Sequence, residues 1–139
     1  MDKALNYLSL ARKGGLAELG EEPVGAMCRT GKAYLVMVAS DASDHTWRRA
    51  KSFVAGTEQQ CLRVKFTKEE LGFVIGRTSL AIAAITDAPL ALALVKALGE
   101  PEKHKQVLEV LTAKAERAKK RQSEAKAHKR NVRMGKVKK

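Results

Sequence analysis

The chain is 139 residues long, carries a formal net charge of +12, and is 45% hydrophobic but only 4% aromatic. That length suits one folded domain with a real core, and the apolar fraction excludes wholesale disorder. So few rings leave a core of Leu, Val, Ile and Ala, and argue against an aromatic platform for single-stranded nucleic acid.

In chain order, Asp2 is placed to cap a first helix that carries Leu5, Leu8 and Ala11 or Arg12 at helical spacing. Gly14 and Gly15 end that helix, and Leu16–Leu19 is long enough only for a small edge strand. Residues 21–30 read as a second helix. Pro23 falls in its first turn, where a missing N–H costs nothing, and Gly31 lies just beyond its end. Ala33–Ala39 is apolar without alternation, the pattern of a strand buried on both faces.

Ser40–Asp44 has loop and cap chemistry and opens a third helix through about Val54, with Trp47, Ala50 and Val54 on one face. After Gly56, Cys61–Phe66 alternates apolar and charged residues like a half-buried strand. Thr67, with Glu70 three residues later, forms a capping box for a fourth helix ending near Gly76. Leu80–Thr86 is another buried strand, and Asp87 with Pro89 opens a fifth helix closed by Gly99. Helices alternating with short buried strands predict an α/β layered domain with helices on both faces of a small sheet.

The charge is uneven. Residues 1–100 carry 13 Lys/Arg and 11 Asp/Glu, a net of +2, whereas residues 101–139 carry 14 and 4, a net of +10. The second stretch is rich in Ala, Lys, Glu and Arg and has strong helix propensity. Val107, Leu108, Val110 and Leu111 can pack its beginning on the domain. After Ala113 nothing bulky remains until Val132, so the rest reads as a solvated helix or a disordered arm. The expected organisation is a domain over residues 1–100 and a basic arm over 101–139. Such asymmetry points to a polyanionic partner, most often nucleic acid.

Motifs for catalysis are missing. The sequence has no nucleotide-binding glycine loop, zinc-protease pair or nucleophile elbow. Asp41, Asp44 and Asp87 follow strands, but each precedes a helix and reads as a cap. Cys28 and Cys61 read as reduced core thiols, and His45, His104 and His128 are too scattered to hold a metal. No apolar run approaches the roughly 18 residues of a membrane span, and the start of the chain lacks a signal-peptide pattern. The expectation is a cytoplasmic monomer without enzyme activity, cofactor, metal or membrane contact.

Four segments in order carry a resemblance: LNYLSLARKGG (Leu5–Gly15), GEEPVGAMCRTGKAYLVMVASDAS (Gly20–Ser43), TKEELGFVIG (Thr67–Gly76) and AAITD (Ala83–Asp87). Together they resemble the ribosomal L-seven-Ae / L-thirty-e superfamily of RNA-binding proteins, and most closely its small bacterial YlxQ-type members. The resemblance spans nearly the whole folded part and leaves out the basic arm. It implies a three-layer α-β-α sandwich on a small mixed four-stranded sheet. It also implies binding to structured RNA, often kink-turns, with ribosomal RNA and ribosomal proteins as the expected partners.

By the same resemblance, RNA contacts fall on three regions. They are the start of the second helix (Gly20, Glu21, Glu22, with Lys32 nearby), the loop after the core strand (Asp41, Ala42, Ser43) and the loop before the last strand (Gly76, Arg77, Thr78, Ser79, Leu80). Gly20 would allow close backbone approach, and the two glutamates would accept from base edges or simply favour the positive end of the helix. Kink-turn binders of the superfamily carry Asn-Glu where this chain has Glu22 and Pro23, and Lys where it has Ala26. Loss of that set is also what drift toward a protein-interaction module of the same fold would look like.

Overall fold

The computed structural model describes residues 2–133. Helix α1 (Lys3–Lys13) starts where the Asp2 carboxylate accepts the Ala4 N–H, and it buries Leu5, Leu8 and Ala11. Strand β1 (Ala17–Leu19) leads through Gly20 into α2 (Glu21–Arg29), and β2 (Leu35–Val38) is buried at every position. Ser43 caps α3 (Asp44–Val54), and the expected reciprocal box of Thr67 and Glu70 opens α4 (Lys68–Val74). Between them runs β3 (Gln60–Arg63), shorter than its alternating pattern because the ladder stops while Val64 and Phe66 stay buried. Strand β4 (Ile82–Ile85), α5 (Ala88–Ala97), capped by Asp87, and α6 (Lys105–Arg133) complete the described chain.

The sheet order is β1-β4-β2-β3, with β2 and β3 parallel and β4 antiparallel to both β1 and β2. Helices α2 and α3 cover one face; α1, α5 and α6 pack together on the other, with α4 against α1. This is the expected three-layer sandwich on a mixed four-stranded sheet. Leu8, Leu35, Ile82, Ile85 and Leu94 are fully buried in its core, each contributing about 1.5–3 kcal/mol by leaving water.

The beginning of α6 is part of this packing. Leu111 is 0% exposed and Ala115 9%, so apolar contact continues two residues beyond Ala113, where bulky side chains run out. Alanine suffices there because α5 comes close. Helix α6 runs antiparallel to β3: His104 and Val107 lie beside Arg63 and Lys65, whereas Leu111 and Lys114 lie beside Thr57–Gln59. An ion pair between Lys114 and Glu58 fixes that direction. From Leu111 to Arg133 the helix extends about 33 Å, at 1.5 Å per residue. The last six positions of the expected arm, 134–139, lie outside the described residues.

Candidate functional site

Strands β1 and β2 end, and β4 begins, at one end of the sheet, because Leu19 pairs with Ala83 and Val38 with Ile82. The Gly20 N–H donates to the Ile82 carbonyl at 3.0 Å, and the Ala39 N–H to the Ala81 carbonyl at 2.9 Å. Gly20–Glu22, Asp41–Ser43 and Gly76–Leu80 therefore share that end. Lys68 ties two of them together: its N–H donates to Asp41 Oδ1 at 2.8 Å, and its carbonyl accepts from the Leu80 N–H at 2.9 Å.

Lys32 is elsewhere. Nine residues of α2 carry the chain about 13 Å along the helix axis, so Lys32 stands before β2 at the opposite end of the sheet. Its closeness to Glu22 is closeness in sequence alone.

Each remaining position has a definite local role. Gly20 has φ 100° and ψ 160°, a region only glycine enters readily, so the turn itself demands glycine whatever approaches from outside. Glu21 Oε1 lies 3.0 Å from Arg49 Nε of α3, an ion pair without good hydrogen-bond alignment. With side chains 49% exposed for Arg49 and 38% for Glu21, that pair contributes at most about 1 kcal/mol. Glu22 is exposed and forms no ion pair among the described residues, which leaves it as the carboxylate free to accept from a ligand. Asp41 is engaged by the start of α4, Ala42 is buried, and Ser43 accepts the Thr46 N–H at 3.1 Å. Gly76, Arg77, Thr78 and Ser79 are exposed, and Leu80 is buried beneath them as an apolar prop.

Two contributors carry weak sequence signals. Arg49 of α3 faces Glu21 across a groove between α2 and α3, which Arg29 at the end of α2 also lines and where Gly25 lets the Phe53 ring approach. Nothing in one sequence announces a pairing between two helices. Gly72 does leave a trace, since a glycine inside a helix costs stability and usually has a packing reason. A Cβ there would stand 2.7 Å from Ser79 Cα and 2.9 Å from the Arg77 carbonyl oxygen. The Arg77 N–H also donates to the Gly72 carbonyl at 2.8 Å. Gly72→Ala is therefore expected to push the 76–80 loop outward and to cost about 1–3 kcal/mol in denaturant melts. A parent-like melt would show that the loop yields freely.

Away from this end of the sheet, reactive chemistry is sparse. Among the described residues no three His, Cys, Asp or Glu side chains gather to hold a metal, and no helix is long and apolar enough to cross a membrane. Burial pushes the Cys61 thiol up to about 12 and raises Cys28 as well, so both stay protonated at neutral pH. Asp87 accepts the Leu90 N–H at 3.0 Å, as a cap should.

No family model matches the chain. The RNA-binding protein YlxQ of Enterococcus faecium is 36% identical over 75 residues, which make up 54% of this chain and 72% of that protein. The chain belongs to the YlxQ family. A Bacillus halodurans protein of unknown function superposes with a TM-score of 0.66 at 26% identity, covering 72% of this chain and 100% of that one. The Giardia lamblia 15.5kD RNA binding protein shares the fold, with a TM-score of 0.57 at 18% identity over 71% of this chain and 84% of its own. Fold and relative thus agree with the YlxQ-type resemblance of the sequence.

Proposed function

We propose that this YlxQ-type chain is a non-enzymatic RNA-binding protein that grips structured RNA with the strand-end surface. One observation carries the reading: the start of α2, the β2–α3 loop and the 76–80 loop, far apart in sequence, converge at one end of the sheet. The relative named as an RNA-binding protein supports it. In this reading Arg77 meets phosphate, Thr78 and Ser79 donate or accept as needed, and Glu22 accepts from base amino groups. The basic part of α6 adds phosphate contacts without sequence preference. Ribosomal RNA in the cytoplasm is the proposed setting, with kink-turns as the motif to try first and a monomer as the binding species.

Arg77→Ala tests the surface cleanly, because the side chain is exposed and packs no core. It should weaken binding to a structured RNA by about 1–3 kcal/mol while leaving the melting temperature unchanged. Gly20→Val is a poorer probe, since its backbone strain would lower stability whatever RNA does. Crosslinking followed by sequencing of the bound RNA names the ligand, and recovery of no RNA above background counts against the proposal.

A protein-interaction module is the second reading, and one observation favours it. Phe73 is 78% exposed on α4, in a hollow shared with Asp2, Glu69 and Glu70. That acidic rim repels phosphate. Capture of a protein by the parent in nuclease-treated extract, lost in Phe73→Ala, would put this reading first.

A further inference from the structure

We propose that the outer edge of β3 is a track for single-stranded RNA, leading from the strand-end surface to the basic length of α6. The proposal rests on the RNA-binding reading and adds a second contact region to it. Strand β3 is the last in the sheet, so one edge faces outward between α3 and α6. A groove along that edge is lined by Ser40, Trp47, Arg63, Lys65, Lys103 and His104. Ser40 opens the β2–α3 loop, so the groove begins where the strand-end surface stops.

Three cations on this route, Lys51, Arg63 and Lys65, are held without an ion pair among the described residues, whereas Lys103 has an exposed carboxylate, Glu100, at 3.9 Å. Arg63 lies 5.2 Å and Lys51 5.5 Å from the centroid of the Trp47 ring, and Lys65 lies 5.6 Å from that of Phe66. Arg63 Nη1 donates to the Ser40 carbonyl at 3.2 Å, and Lys65 Nζ to the Leu98 carbonyl at 3.3 Å. Ion pairs among the described residues join Arg49 to Glu21, Lys103 to Glu100 and Lys114 to Glu58, while burial lowers the pKa of His104 beside Glu100 and favours its neutral form. None involves Lys51, Arg63 or Lys65. Ring faces and carbonyls orient these groups but leave their full charge for a polyanion.

The course of α6 supplies the direction. It passes along β3 away from the strand-end surface, and its basic length projects beyond the far end of the sheet. An RNA that touches both the strand-end surface and that helix must cross the sheet, and the β3 edge offers positive charge along the way. A single strand can lay its phosphates on Arg63, Lys65 and Lys51 along this edge. Phosphate contact rather than base stacking carries the binding, since Trp47 is a lone ring. An acidic peptide pairing with the open strand edge is the competing occupant.

Trp47 is the sole tryptophan, so its emission reports on the groove directly. The full chain is mixed with an oligouridylate of about 12 nucleotides, within the usual span of single-strand sites. Binding is followed both by retention on a filter and by Trp47 emission. Retention and a saturable change in emission are expected together. Lys51→Glu combined with Lys103→Glu, both exposed, should weaken the oligouridylate about tenfold and flatten its salt slope by about 1 per lysine, with the melting temperature held. Retention with silent Trp47 and an indifferent double variant would overturn the track while leaving the RNA-binding reading in place. Failure to retain either the oligouridylate or a structured hairpin would overturn both. A change in Trp47 emission with polyglutamate and none with oligouridylate would assign the groove to an acidic peptide instead.

Discussion

Removing residues 120–139 should cut the salt dependence of RNA binding sharply while the fold survives. The segment holds nine Lys/Arg and one Glu. If about six of its cations meet single-stranded phosphates, they contribute about −4 to the slope of log K against log salt. Between roughly 50 and 200 mM salt that slope alone removes about a factor of 300 in affinity. The truncated chain should lose most of this sensitivity, so its disadvantage is large at low salt and small at high salt. Discrimination between a structured RNA and a random pool should persist, because point charges on phosphates read no sequence. The cut belongs at 120 because Lys114 and Ala115 still hold α6 to the domain. A slope equal to that of the full chain would show that the arm is a bystander.

Leu111→Ala should be the most damaging single change in α6. The side chain is fully buried where α6 crosses the start of β2 and β3, close to Ala33, Tyr34 and Gln59. Removing its outer carbons should cost about 2–5 kcal/mol, depending on how far the site collapses. For a chain of this size that lowers Tm by roughly 10 °C. Thr112→Ala one position on, exposed, serves as the control and should melt like the parent. A parent-like melt for Leu111→Ala would mean that α6 does not dock on the sandwich in solution.

Much of the fold was legible because its signals are local. Asp2, Ser43, Thr67 with Glu70, and Asp87 each accept the helical N–H that the spacing predicts. The unbroken apolar runs around β2 and β4 are strands buried on both faces. What stayed hidden depends on contacts across the chain. Periodicity cannot say that Arg49 of α3 reaches Glu21, or that Asp41 is occupied by the first N–H of α4. Lys32 shows the opposite failure. Ten residues from Glu22 looks near along the sequence, yet an intervening helix sends the chain to the other end of the sheet.

The seating of the 76–80 loop on Gly72 has a consequence for the thermodynamics of recognition. The Arg77 N–H bond to Gly72, the Leu80 N–H bond to Lys68 and the buried Leu80 side chain fix this segment before any ligand arrives. Ordering a free loop residue costs about 1–2 kcal/mol of backbone entropy, and here that cost is already met in folding. Association with the strand-end surface should therefore proceed without a slow conformational phase, and its heat capacity change should reflect surface burial alone.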